Sequence, residues 1–148
     1  MTLFQKIGGS KIMDKKLFAE IKNTLLSEQK RQRTKVEAEL LELINAINKV
    51  DGVYVAGSCI DKEKFEAIIW FRVDQFQTLN DFCREFFNYS IWKIVYSNCD
   101  VALNDHLVFY LDFHGENLEE IFKEATKLAF KINEKVDDFN NRSQIITI

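Results

Sequence analysis

The first residues whose types suggest chemistry lie in the last third of the chain. His106, Asp112 and His114 recur at even spacing through an apolar stretch, so an extended backbone would put all three on one face. Imidazole and carboxylate groups suit a metal site or an acid–base pair. Spacing argues against a metal shared by the histidines. Two residues along a strand separate side chains by about 6.5–7 Å, and eight separate them by about 27 Å. A straight strand cannot bring His106 and His114 to one ion, and the sequence reading assigns no metal site. Ser58-Cys59, following Gly57, offers a nucleophile. No basic neighbour or helix N-terminus is evident to lower the thiol's pKa, so Cys59 is expected to be a small buried hydrophobe. Gly8-Gly9-Ser10 lacks the preceding strand and the Lys-Ser/Thr of a phosphate loop. No catalytic residue and no cofactor is assigned, and the chain reads as a non-enzyme.

Cys59, Cys83 and Cys99 are odd in number and widely spaced, with no Cys-x-x-Cys pair. That pattern points to reduced thiols in a cytoplasm, not to a disulfide frame or a zinc site. The longest apolar runs, such as Ala67 to Phe71, are too short to span a bilayer, and residues 1–14 carry no apolar core of a secretory signal. Net charge is −3 but unevenly placed. Residues 1–37 hold nine Lys/Arg against four Asp/Glu, a net +5, and the remainder holds eleven against nineteen, a net −8. The basic cluster Lys30, Arg31, Arg33 and Lys35 could touch phosphates, or could be a solvated helix face. The acidic remainder argues against a nucleic-acid-binding body.

These residues must be positioned by short elements in a chain of single-domain size, 148 residues. Residues 1–13 lack periodicity and read as a flexible tail, leaving 14–148 as one α+β domain. Asp14 is a plausible N-cap for a helix carrying Leu17, Phe18, Ile21 and Leu25 at helical spacing. Thr34-Lys35-Val36-Glu37 has the form of a capping box before a second stripe, Val36, Leu40, Leu43, Ile44 and Ile47. One long helix is the competing reading, because the two stripes nearly share a phase. Asp51-Gly52 marks a turn. Val53–Ile60 and Phe65–Val73 read as a hairpin, Thr78 opens a helix, and Ile91–Asn98 and Leu107–Phe113 read as a second hairpin. Asn117-Leu118-Glu119-Glu120 is another capping box, opening a last helix with Leu118, Ile121, Phe122, Ala125, Leu128, Ala129, Ile132 and Val136 on one stripe. Strands grouped in hairpins between helices predict an antiparallel sheet packed by helices. Thirteen Phe suggest a thick aromatic core or one further apolar surface.

Alternation gives the strands two faces. Leu107, Phe109, Leu111 and Phe113, with Phe65, Ala67, Ile69 and Phe71, form the expected core face. The opposite face is expected to carry Tyr54, Ile68, Trp70, Trp92, Ile94, Tyr96, Val108 and Tyr110, too apolar to be left in water. Three coverings stay open: the N-terminal helices, a protein partner or second copy anchored on Trp and Tyr, and a ligand or RNA stacked on the rings. Tyr54, Trp70, Trp92, Tyr96 and Tyr110 are the candidate partner-binding residues.

From Arg72 to Ile132 the order and spacing resemble the YbjN and type III secretion chaperone-like group. Leu79, Asn80, Phe82, Tyr96, Leu107, Asp112, Gly115, Leu118 and Phe122 fall where members place similar residues. The resemblance covers about half the chain and implies a non-enzymatic protein-binding or regulatory domain, usually dimeric, so that a homodimer or a protein partner is expected. A fainter resemblance joins residues 41–59, LELINAINKVDGVYVAGSC, to the wybutosine-pathway tRNA methyltransferases, which lead a helix and strand into a Ser-Cys motif. It implies the alternative, an S-adenosylmethionine-dependent enzyme acting on tRNA. Here the motif continues as Ile60-Asp61-Lys62, where that family has Ser-Gly-Arg.

Overall fold

The computed structural model describes residues 15–31, 38–88, 90–96 and 107–146. The tail at 1–13, Asp14, the Thr34–Glu37 capping box, Cys99 and His106 lie outside the described residues. The elements are α1 (Lys15–Arg31), α2 (Ala38–Asn48), β1 (Val53–Asp61), β2 (Glu66–Val73), α3 (Phe76–Phe86), β3 (Lys93–Tyr96), β4 (Leu107–His114) and α4 (Leu118–Ile146). The chain is an α+β fold whose antiparallel sheet has the order β1-β2-β4-β3.

α2 forms because Leu40, Leu43, Ile44 and Ile47 recur at helical spacing, and all four are buried. It ends in a turn held from two sides. Gly52 takes φ +80°, a left-handed conformation that Gly adopts without steric cost. Asn140 on α4 clamps the same turn, accepting from the Asp51 N–H at 2.9 Å and donating to the Lys49 carbonyl at 3.0 Å. Asn48 then accepts the Val55 N–H at 2.7 Å, satisfying a donor on the sheet's edge strand. The β1–β2 turn is an Asx turn: Asp61 Oδ1 accepts the N–H groups of Glu63 and Lys64 at 3.0 and 3.1 Å. Phe65 closes it at φ 52°, so this residue belongs to the turn and not to the strand.

α3 starts at Phe76, two residues before Thr78. The Gln75 side chain does not cap it, and the Thr78 hydroxyl instead donates to Asp74. α4 opens as the sequence predicts, with Asn117 Oδ1 accepting the Glu120 N–H at 2.8 Å. Its stripe of Ile121, Ala125, Leu128, Ala129, Ile132, Val136 and Phe139 is buried and packs on α2 and the sheet.

The core between sheet and helices is the aromatic layer that the Phe count suggests. Phe71 meets Phe82 and Phe109 with ring centroids 5.5 and 5.9 Å apart, and Phe86 meets Phe139 at 5.4 Å. Offset and edge-to-face pairs of this kind add about 0.5–1.5 kcal/mol each beyond their buried area. Ala67, Ile69, Phe71, Phe109, Leu111 and Phe113 all face this layer and are buried, as their alternation predicts.

Candidate binding face and carboxylate–histidine cluster

The other face of the sheet departs from the sequence reading in three ways. First, β3 has the opposite phase. Ile94 lies opposite Leu111 and Tyr96 opposite Phe109, both core-facing positions of β4. Ile94 packs against the main core. Trp92 is 3% exposed and stacks on Phe113 at 5.1 Å, so it is a core residue. Strand periodicity within β3 was legible in the sequence, but its phase relative to β4 depends on the cross-strand register.

Second, β1 changes phase part-way along. A bulge between Val55 and Gly57 leaves Ala56 unpaired against β2. Val53 and Val55 point into the core before it, but Ser58 and Ile60 occupy the core-facing positions after it. Cys59 therefore moves to the second face, opposite Ile68, where it is exposed. The expectation of a buried Cys59 fails because one extra residue inverts everything that follows. Cys83 is partly buried, and that burial raises its thiol pKa.

Third, one corner of the face is covered from within the chain. Tyr54 is 1% exposed beneath Phe18 of α1, with ring centroids 5.1 Å apart, and Ile21 and Leu25 pack around the pair. Burial raises the Tyr54 phenol pKa, opposed by the neighbouring Arg72 guanidinium, which hydrogen-bonds it. α1 is also tied down at Lys22, whose ammonium donates to the Val50 carbonyl at 2.8 Å. Lys22 is nearly buried, and desolvation lowers its pKa to about 8 against the pull of Asp51 and Asp74. Asp74 is itself buried, and desolvation raises its pKa despite the hydrogen bond from Thr78.

Two of the five candidate aromatics remain together. Trp70 and Tyr110 are direct partners across β2 and β4, and both keep partial exposure. Ile68 on β2 and Val95 on β3, which pairs with Tyr110, extend the patch. Glycine in the next strand helps shape it. A Cβ at Gly57 would lie 3.8 Å from the Trp70 ring, so the indole packs over a strand with no side chain there.

At the far end from α1 the same face gathers charge. Asp112 and His114 share it, as the sequence predicts, and β2 adds Glu66, which lies opposite His114. His114 Nε2 is 2.9 Å from Glu66 Oε2 and 3.4 Å from Asp112 Oδ2. The Glu66 carboxyl shares a hydrogen bond with Asp112, which raises its pKa, and burial and the Asp112 charge push the same way. Sequence reasoning missed Glu66, since nothing local to residues 66 and 114 shows that their strands pair. These three side chains have the donor types of a metal site. Among the described residues no nucleophile stands beside an imidazole, and no hydrolytic triad is assembled.

Among the described helices none is long and apolar enough to cross a membrane. Compared with protein-family models, with curated proteins and with solved structures, the chain has no match.

Proposed function

We propose that this chain is a non-enzymatic protein-binding domain of chaperone or regulator type, acting in a reducing cytoplasm and pairing with a second copy through the second face of its sheet. The observation that carries the reading is the Trp70–Tyr110 pair. Helices α2, α3 and α4 serve the first face, and among the described residues α1 packs on the second around Tyr54. Two large rings are left side by side and partly exposed, flanked by Ile68 and Val95 and rimmed by charge. Trp and Tyr at the centre of such a patch are the residues that most often anchor a protein interface.

A second copy is the occupant that the charge pattern favours. α1, with Lys15, Lys16 and Lys22 against Glu20 among its described side chains, stands at the Arg72 end of the face. Asp61, Glu66 and Asp112 stand at the other end. A two-fold axis that reverses strand direction sets each basic end over the partner's acidic end and keeps the two α1 helices apart.

Light scattering of the wild type, Trp70→Glu and Tyr110→Glu tests this reading, with Trp92→Glu as the contrast. The wild type should be a dimer, and the first two variants should be folded monomers. Trp92→Glu should lose its fold, because it puts a charge into the core. A monomeric wild type sinks the dimer. A thermal shift with S-adenosylmethionine, about 2.7 kcal/mol at 100 times its dissociation constant, would instead support the tRNA-modifying alternative.

A further inference from the structure

We propose that Glu66, Asp112 and His114 form a binding site for one divalent transition-metal ion of the zinc type. The site lies at the acidic end of the same sheet face, beside the aromatic patch, and its geometry within one chain does not depend on that patch being an interface. Three side chains from two strands converge so that one carboxylate oxygen of Glu66, one of Asp112 and an imidazole nitrogen of His114 all lie within 4.8 Å of one another. A tetrahedral ion bonded at about 2.0–2.2 Å spaces its donors about 3.3–3.6 Å apart. The Nε2 to Asp112 distance of 3.4 Å already matches, and the Nε2 to Glu66 distance of 2.9 Å needs only a small opening.

A second observation points to a ligand. Asp112 Oδ1 is buried and has no hydrogen-bond partner. His114 and Glu66 already engage the rest of the Asp112 carboxylate, and an ion bound by both of its oxygens would satisfy Oδ1 as well. The neighbourhood supplies one imidazole against two carboxylates, together with Lys64 near Glu66 and Lys93 opposite Asp112 on β3. Neither lysine is paired with Asp112 among the described salt bridges. Imidazole with two carboxylates suits zinc, cobalt or nickel better than the oxygen-only cations calcium and magnesium. His114 is 60% exposed at its side chain, so solvent can supply the remaining ligand and the ion has an open path in. The register fixes this geometry, because Glu66 and His114 are paired positions and Ile68 pairs with Asp112 one step along the same face.

Cobalt titration of the full chain, read by visible absorption, tests the site, with zinc competition as confirmation. We expect saturable binding of one equivalent, displaced by zinc, with the absorption intensity of a four-coordinate ion. His114→Gln and Asp112→Asn should each weaken binding by at least about tenfold, and Cys59→Ser should leave it unchanged. Circular dichroism of each variant separates loss of the site from loss of fold. The proposal is overturned by the absence of saturable one-equivalent binding to the wild type at millimolar cobalt, or by wild-type affinity in folded His114→Gln and Asp112→Asn. Loss of binding in Cys59→Ser alone would also overturn it, since the ion would then be held by the thiol.

Discussion

Lys22 links the docking of α1 to pH in a way that can be measured. Its ammonium is nearly buried on the Val50 carbonyl, and desolvation lowers its pKa from 10.5 to about 8. A base whose folded pKa is lowered holds its proton less tightly in the folded state. The cost of burying the charge is fully present below the folded pKa, and it is relieved as pH rises from the folded towards the unfolded value. The contribution of Lys22 to stability should therefore increase between pH 8 and 10.5. Integrating the proton-binding difference from about pH 7 to about pH 9.5 gives a gain of about 2 kcal/mol from this group. The upper limit stays below the range in which Tyr54, whose folded pKa is raised above 10.0, would begin to act in the opposite direction. Urea denaturation of the wild type and Lys22→Met at both pH values isolates the effect. Titrations shared by the two proteins cancel in the difference. The methionine leaves no orphaned carbonyl, because Val50 also accepts from the Val53 N–H at 3.2 Å. The wild type should gain about 2 kcal/mol relative to Lys22→Met on going to the higher pH. An unchanged difference would refute the burial of Lys22, and with it the placement of α1 across the Val50–Tyr54 corner.

Gly52→Ala should destabilise by at least about 1–2 kcal/mol in the same denaturation assay, because the residue sits at φ +80° and an added Cβ would meet the Asp74 carboxylate at 2.8 Å. A loss below about 0.5 kcal/mol would show that the turn relaxes to another conformation. Phe109→Ala and Leu128→Ala, which open cavities on opposite sides of the aromatic layer, should each cost about 2–5 kcal/mol. Surface-like losses below about 0.5 kcal/mol would invert the assignment of the sheet faces.

The sequence by itself determined the elements, because what defines them is local. The Leu40–Ile47 stripe, the Asn117 cap and the alternation through Phe109, Leu111 and Phe113 each act within a few residues, and each is found where periodicity and capping put it. It also determined that Trp70 and Tyr110 lie on the face opposite that core, since both alternate with buried partners in their own strands. What it could not determine depends on which strands pair and in what register. Trp92 and, on β3, Ile94 and Tyr96 alternate cleanly in the sequence, but alternation alone does not say which half is inside. Pairing with β4 puts Ile94 opposite the core-facing Leu111, and Trp92, just before the strand, stacks on Phe113 in the core. The bulge at Ala56 is a one-residue offset between two strands, which a single strand's sequence does not mark, and it carries Cys59 outward. The same long-range pairing decides the carboxylate–histidine cluster. Glu66 and His114 are 48 positions apart and meet only because β4 inserts between β2 and β3.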